Sequence, residues 1–221
     1  MNDGAGLPEY LRRNRSHWDG RAADYAGPAE IAWASNEPTW GIWQVPDSKL
    51  RLLPDDLAGK DVIELGCGTA YVSAWLSRRG ARVVGIDNSA AQLATARRLQ
   101  REHELDFTLI HGNAEEVPYP DASFDLAISE YGACLWADPY RWVPEAARIL
   151  RPGGELIFLV NSASLHFACR RKKAWPRATD CCVRRLGCIG SSGQAMRASS
   201  FTCHMATGSD CSGEVGSRLK T

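Results

Sequence analysis

The sequence predicts an α/β fold in which helices cover a doubly wound, mostly parallel sheet. Three observations predict it. A short apolar run at 62–65 leads into a glycine-rich turn and then into a helical pattern. Strand-like and helix-like segments alternate from there to residue 161, which is typical of parallel sheets. Hydrophobic residues make up 44% of the chain, enough for a core.

The length and the net charge of the chain limit the number of domains and the kinds of partner to expect. The 221 residues predict one main domain, and the formal net charge of zero argues against a dedicated nucleic-acid binder. No apolar stretch approaches eighteen residues, and the first twenty residues contain no hydrophobic signal segment. We therefore expect a cytoplasmic protein with no nucleic-acid or membrane partner.

Residues 1–54 read as an aromatic-rich N-terminal cap. The pattern predicts a helix over 12–25 that is broken at Gly27–Pro28. The aromatic side chains Tyr25 and Trp40–Trp43 leave two interpretations open, because they either line a ligand cleft or pack against the sheet.

The next segment, Asp61–Tyr71 (DVIELGCGTAY), carries the central motif. Its glycines allow positive φ and let a ligand lie against the backbone, and the helix that follows directs its first N–H groups at that ligand. A dinucleotide fingerprint requires a small residue at the sixth position of the glycine motif, where this chain has Tyr71. The dinucleotide interpretation therefore loses one of its three requirements.

The same stretch resembles motif I of class I S-adenosylmethionine-dependent methyltransferases. Glu64, Gly66 and Gly68 match that motif, and Ala70 stands where a third glycine is usual. The resemblance covers about residues 15–161 and implies a Rossmann-like core at 55–161, with S-adenosylmethionine as cofactor. It also implies that the N-terminal cap folds over the cofactor. The residues it assigns to the cofactor from these two segments are Tyr25, Glu64, Gly66, Cys67 and Gly68.

A helix over 71–79 and a strand over 82–86 come next, and Asp87 follows directly. An acidic side chain about twenty residues after the glycines is placed to bind ribose hydroxyls, and the resemblance implies that role for Asp87, with Asn88 beside it. The alternative is that Asp87 only caps the next helix, a role for which Asn88 and Ser89 compete.

A helix over 89–103 and a strand over 107–110 lead to the loop 112–120. This loop resembles the segment that reads adenine in the family, which implies cofactor contacts for Asn113, Ala114 and Glu115. The alternative is an ordinary turn rich in helix-breaking residues.

The fourth strand, 124–129, ends where the resemblance places the transferred methyl group. It implies that Ser129 contacts the cofactor. Glu130 and Tyr131 are candidate bases, with His111 and His166 as weaker ones. A helix over 139–150, a turn at 151–154 and a fifth strand over 155–161 complete the predicted core.

Residues 162–221 form a basic tail rich in cysteine and serine, with none of the alternation seen before it. We predict that the last two strands of the fold are missing and that the tail is disordered. Its cysteines have irregular spacings that fit zinc knuckles poorly, so no metal site is predicted. Segments at 179–183, 186–193 and 200–217 give sensible strings in a shifted reading frame. This supports the hypothesis of a frameshift between about 161 and 178, with reduced stability and activity as its consequence.

The predicted function is methyl transfer from S-adenosylmethionine to an O, N or C nucleophile of a small molecule. The alternatives are an inactive remnant of such an enzyme and a nucleotide-dependent oxidoreductase. Neither the methyl acceptor nor the oligomeric state follows from the sequence.

Overall fold

A computed structural model describes residues 7–160 of the chain and the backbone of 161 and of 181–187. The strands are β1 (Thr39–Trp40), β2 (Val45–Pro46), β3 (Asp61–Leu65), β4 (Arg82–Asp87), β5 (Thr108–His111), β6 (Phe124–Glu130), β7 (Leu150–Asn161) and β8 (Cys181–Gly187). The helices are α1 (Glu9–Ala34), α2 (Asp47–Leu50), α3 (Tyr71–Arg78), α4 (Ala90–Glu102), α5 (Ala133–Trp136) and α6 (Pro139–Ile149). No helix within these residues is long and apolar enough to cross a membrane.

The described part of the main sheet has the order β5-β4-β3-β6-β7-β8, in which β3 to β7 are parallel. After β3 the chain moves outward through β4 and β5, then returns to the other side of β3 with β6. Strand order therefore reverses between β3 and β6, and ligands of open α/β sheets bind at the carboxyl ends of strands at such a point. The predicted α/β, Rossmann-like fold is confirmed.

Side chains that alternate along the central strands build the core on both faces of the sheet. Val62 packs on one face with Val72 and Leu76 of α3. Ile63 packs on the other face with Ala146 of α6. This period of two is what a strand covered on both faces requires.

Helix α1 is longer than predicted, because it continues through Gly27–Pro28 to Ala34. Proline removes one backbone N–H from the helical ladder. The helix nevertheless continues because Ala29 and Trp33, in its last two turns, are buried against α4. The tertiary contacts outweigh the local break.

The predicted turn at 151–154 is also not a separate element. It lies inside β7, where the pairing register with β6 shifts between Phe124 and Leu126 and Gly153 has φ +82°. The extra residues are absorbed as a bulge.

One strand lies in the segment for which the sequence analysis predicts none. β8 pairs antiparallel with β7, with Glu155 opposite Gly187 and Asn161 opposite Cys181. The prediction that the tail contributes no strand is therefore wrong at 181–187. The disorder and frameshift predicted for the rest of 162–221, and the candidate base His166, lie outside the described residues.

Candidate functional site

A cavity of about 440 Å³ lies at the carboxyl ends of β3, β4 and β6, beneath α1. Most of the site residues predicted from the sequence line it: Tyr25, Glu64, Gly66, Cys67, Gly68, Asp87, Asn88, Asn113, Ala114, Glu130 and Tyr131. The fold therefore brings together residues from five separate segments of the chain.

The two glycines after β3, Gly66 and Gly68, have different structural roles. A Cβ at Gly66, which has φ +75°, would lie 2.3 Å from the backbone nitrogen of Ala133, so this glycine lets the turn pass the start of α5. A Cβ at Gly68, with φ +52°, would have no atom within 4 Å. The backbone at Gly68 therefore faces open space in the cavity, where a ligand can approach it closely.

Asp87 is tied to the glycine turn. Its Oδ2 accepts the backbone N–H of Gly68 at 2.7 Å, and its Oδ1 accepts the N–H of Ser89 at 2.7 Å. Burial raises the pKa of the Asp87 carboxyl, while these two backbone N–H groups lower it. The N-cap of α4 is Ser89, whose hydroxyl oxygen accepts the N–H of Gln92 at 3.1 Å. Asp87 is therefore not the helix cap that the alternative interpretation required.

Glu64 forms the floor of the site beside the first turn of α3. Its Oε2 accepts the backbone N–H of Ser73 at 2.8 Å and the Ser73 hydroxyl at 2.5 Å. Burial raises the pKa of Glu64 to about 8, against the lowering effect of the two Ser73 bonds.

Glu130, at the end of β6, links the site to the cap. Its carboxylate accepts the hydroxyl of Tyr71 and, at 3.0 Å, the backbone N–H of Gly41. Burial raises the pKa of Glu130, whereas the bonds from Tyr71 and Gly41 lower it. Glu130 thus holds the loop between β1 and β2 against α3.

The side chains of the described residues that line the cavity give it an acidic character. Three carboxyl groups line it, those of Glu64, Asp87 and Glu130, and no lysine, arginine or histidine among the described residues does so. A site with this balance favours a ligand that carries positive charge and opposes an anionic pyrophosphate.

Asn113 and Ala114 lie on the loop after β5. The side-chain oxygen of Asn113 accepts the backbone N–H of Glu115 at 3.1 Å, which fixes the loop as an Asx turn. Asn113 and Ala114 both line the cavity, so the turn interpretation and the ligand interpretation hold together.

Two predicted cofactor residues do not reach the cavity. The Glu115 side chain is buried elsewhere, where it accepts the Tyr10 hydroxyl and the backbone N–H of Asp138. The hydroxyl of Ser129 donates to the Leu65 carbonyl at 2.7 Å inside the sheet. Both side chains therefore stabilise the walls of the site, and the predicted cofactor contacts of Glu115 and Ser129 are not supported.

The candidate base His111 is also outside the cavity. Its Nε2 lies 3.1 Å from the backbone oxygen of Asn88, on the edge of the sheet.

Helix α1 contributes a whole face of the cavity, of which the sequence analysis assigned only Tyr25. Its lining residues are Leu11, Asn14, Trp18, Tyr25, Pro28, Ala29 and Ala32. The spacings of three and four between Leu11, Asn14 and Trp18 are those of one helical face, a signal that the sequence does contain. Trp40, by contrast, is buried and donates from Nε1 to Asp47 at 2.9 Å, so for this tryptophan the packing interpretation is correct.

Side chains of α1 bind the end of β4 and the start of α4. Arg15 donates from Nε and Nη2 to Oδ1 of Asn88 at 3.0 and 2.8 Å, and the Asn88 amide donates to the Leu11 carbonyl at 3.0 Å. The Ser89 hydroxyl donates to Asp19 at 2.6 Å. The cap is therefore fastened directly to residues that flank Asp87.

Aromatic rings close one side of the cavity. The Trp18 ring meets that of Trp136 edge to face, with centroids 4.9 Å apart, and also that of Tyr25 at 5.4 Å. Tyr25 and Trp136 remain 38% and 42% exposed. This leaves aromatic surface free to contact a ligand.

Comparison with known proteins agrees with this geometry. Residues 63–158 match a family described as a methyltransferase domain. A probable S-adenosylmethionine-dependent methyltransferase of Mycolicibacterium smegmatis (strain ATCC 700084 / mc(2)155) is 40% identical over 106 residues, which cover 48% of this chain and 38% of the relative. An uncharacterized methyltransferase of Mycobacterium tuberculosis (strain ATCC 25618 / H37Rv) is 35% identical over 172 residues, covering 77% of this chain and 61% of the relative.

The chain therefore carries a methyltransferase domain over residues 63–158. The chain spans less than two thirds of the length of either relative. The fold is shared with geranyl diphosphate C-methyltransferase from Streptomyces coelicolor A3(2), solved with S-adenosylhomocysteine, at a TM-score of 0.55 and 18% identity over 72% of this chain and 67% of that one.

The residues present fit the cofactor of this methyltransferase family. S-adenosylmethionine carries a sulfonium and an ammonium, which match a cavity lined by carboxyl groups and by no basic side chain of the described residues. The open space above Gly68 lets the cofactor lie close against the backbone of the turn. The cofactor of the family is therefore compatible with this chain in both shape and charge.

Proposed function

We propose that this chain transfers a methyl group from S-adenosylmethionine to an O, N or C nucleophile of a small molecule. The observation that carries the proposal is the acidic cavity at the point where strand order reverses, lined by Glu64, Asp87 and Glu130. The match of residues 63–158 to a methyltransferase domain supports it.

The cofactor supplies an activated methyl group on a sulfonium, whose sulfur leaves as a neutral thioether. Such a transfer depends mainly on positioning and on exclusion of water. Asp87 would hold the ribose hydroxyls, since a carboxylate accepts two donors. Asn113 and Ala114 would hold the adenine edge, and Glu64 would form the floor beneath the cofactor. Helix α1 would cover the pair of reactants.

Glu130 is our candidate for the proton acceptor when the nucleophile is a hydroxyl or an amine. It is 8% exposed, lines the cavity and lies at the end of the strand beside β3. Burial raises its pKa, and a carboxyl whose pKa lies nearer neutrality is a better general base. Tyr131 also lines the cavity and is the second candidate.

The size and the cover of the cavity favour a small molecule as the methyl acceptor. The cavity of about 440 Å³ is in the size range of small-molecule sites and is roofed by α1. The aromatic rings of Trp18, Tyr25 and Trp136 would contact an apolar part of the acceptor or of the cofactor.

Titration calorimetry on the full 221-residue chain tests the proposal. We expect S-adenosylhomocysteine and S-adenosylmethionine to bind and NADH not to bind, because a pyrophosphate would face three carboxyl groups. Transfer of radiolabelled methyl to a panel of small phenols, amines and carboxylates then tests catalysis. Binding of NADH alone would support the oxidoreductase alternative, and binding of the cofactor with no methyl transfer across the panel would support the inactive remnant.

A further inference from the structure

Gln92 carries the one unsatisfied side-chain polar atom in the interior of the described region. Its Oε1 is the single buried side-chain oxygen or nitrogen among the described residues that has no hydrogen-bond partner. The residue is 4% exposed and lines the cavity. A buried acceptor without a partner destabilises a fold, so an unpaired one beside a ligand cavity indicates a donor supplied by the ligand.

The position of Gln92 indicates which donor that is. The backbone N–H of Gln92 is bound by the Ser89 hydroxyl oxygen at 3.1 Å, and the N–H of Ser89 is bound by Asp87 at 2.7 Å. Two consecutive hydrogen bonds thus connect the Gln92 backbone to Asp87, and both residues line the cavity.

Part of the hydrogen-bond accepting capacity of Asp87 is already used by backbone N–H groups. Each of its oxygens already accepts a backbone N–H, from Gly68 and from Ser89. A ribose presents two neighbouring hydroxyl donors, and a second acceptor beside Asp87 would complete their hydrogen bonding.

We infer that Gln92 Oε1 accepts a hydrogen bond from a ribose hydroxyl of the cofactor and, together with Asp87, makes the site specific for an intact ribose. This inference rests on the proposed function. It assigns to the first turn of α4 a binding role that the glycine motif and Asp87 alone do not include.

The test compares the wild-type chain with Gln92→Met, which has nearly the same volume and no amide. Calorimetry with S-adenosylhomocysteine should show about a tenfold weaker Kd for the variant, the usual effect of one lost hydrogen bond to a ligand. With the 2′,3′-dideoxyribose analogue, both proteins should bind equally. With S-inosylhomocysteine, which lacks the 6-amino group of adenine, the tenfold difference should remain.

Thermal unfolding without ligand gives an independent readout. Gln92→Met removes an unpaired buried acceptor, so we expect its Tm to equal that of the wild type or to exceed it by about 2–4 °C. The matched control is Gln100→Met on the same helix, where the amide donates to the Phe107 carbonyl at 2.8 Å. That variant should lower Tm and leave the Kd for S-adenosylhomocysteine unchanged.

Each result decides the matter. Equal affinity of wild type and Gln92→Met for S-adenosylhomocysteine overturns the inference and leaves the proposed function intact. A difference that disappears with S-inosylhomocysteine overturns it too, because the donor would then be the adenine amino group. A wild-type chain that binds none of the three ligands overturns the proposed function itself.

Discussion

The Asp87 carboxylate accepts the backbone N–H of Gly68 at 2.7 Å and thereby joins the ends of two adjacent strands. The bond fixes the position of the glycine turn relative to the group that would hold the ribose. The same side chain therefore fixes the turn and is also the group that would hold the ribose.

Asp87→Asn should weaken binding of S-adenosylhomocysteine by at least tenfold. Hydrogen bonds to a charged group contribute about 1.5–3 kcal/mol, and the amide loses one acceptor oxygen. Calorimetry measures the change. Asp106→Asn is the control, since Asp106 is exposed at the opposite end of β5. Equal binding by both variants would contradict the assigned role.

Gly66→Ala should prevent folding, whereas Gly68→Ala should prevent only cofactor binding. At Gly66 the new methyl group would overlap the backbone at Ala133, so we expect a protein that does not fold. At Gly68 the methyl group has space, and only the positive φ costs stability, by about 1–2 kcal/mol. We expect Gly68→Ala to fold, as judged by circular dichroism, and to lose cofactor binding. Full binding by folded Gly68→Ala would show that the ligand does not approach this turn.

Stability should fall as pH rises from about 4.5 to about 8, because of Glu64. Its pKa is raised from 4.5 to about 8 in the folded chain, so the folded state holds a proton that the unfolded state has lost. The free energy of unfolding then decreases with pH, by at most about 1.4 kcal/mol per pH unit from this group.

Glu64→Gln should remove that contribution. Urea unfolding of both proteins at several pH values measures it: the variant should gain stability relative to the wild type as pH rises through this window. A difference between the two that does not change with pH would mean that Glu64 titrates normally.

Glu130→Gln should reduce the preference for S-adenosylmethionine over S-adenosylhomocysteine. The two ligands differ by the methyl group and its positive charge, and the variant removes a negative charge from the cavity. We expect the ratio of the two affinities to drop about fivefold, or about 1 kcal/mol. Glu116→Gln, at an exposed position on the neighbouring loop, should leave the ratio as it is.

Asp19→Ala should loosen α1. The variant loses the bonds from the Ser89 hydroxyl and from the Ala91 N–H, 3.1 Å from Asp19. Loss of such a capping carboxylate costs about 0.5–2 kcal/mol. Hydrogen exchange should become faster in α1 while β3 keeps its protection. Asp24→Ala is the control, because Asp24 only pairs with Arg21 at the surface. Unchanged exchange in Asp19→Ala would mean that other contacts hold the helix.

The parallel core could be predicted from the sequence because its signals are local. The apolar run before Gly66 and the acidic residue after the second strand each depend on a few neighbouring residues. The predicted strands at 62–65, 82–86, 107–110 and 124–129 agree with β3 to β6 within one residue at each end.

Other features depend on contacts between distant residues, and these were missed. Helix α1 passes Pro28 because of burial against α4, and the Glu115 side chain lies away from the cavity because Tyr10 and Asp138 offer it donors. β8 pairs with β7 although its own sequence shows no alternating pattern. Neighbouring residues alone carry no information on such partners.

Helix α1, which covers the cavity, is synthesised before the strands and loops that form the rest of the cavity. Asn14 donates to the carbonyl of Trp136, 122 residues later, and Arg15 binds Asn88, 73 residues later. During synthesis, the apolar face of α1 around Trp33 therefore stays exposed until the residues that cover it have been added. Contacts between residues so far apart in the chain also form slowly. Closure of the pocket is thus a late event in the folding of the nascent chain, because it requires residues as far along as Trp136.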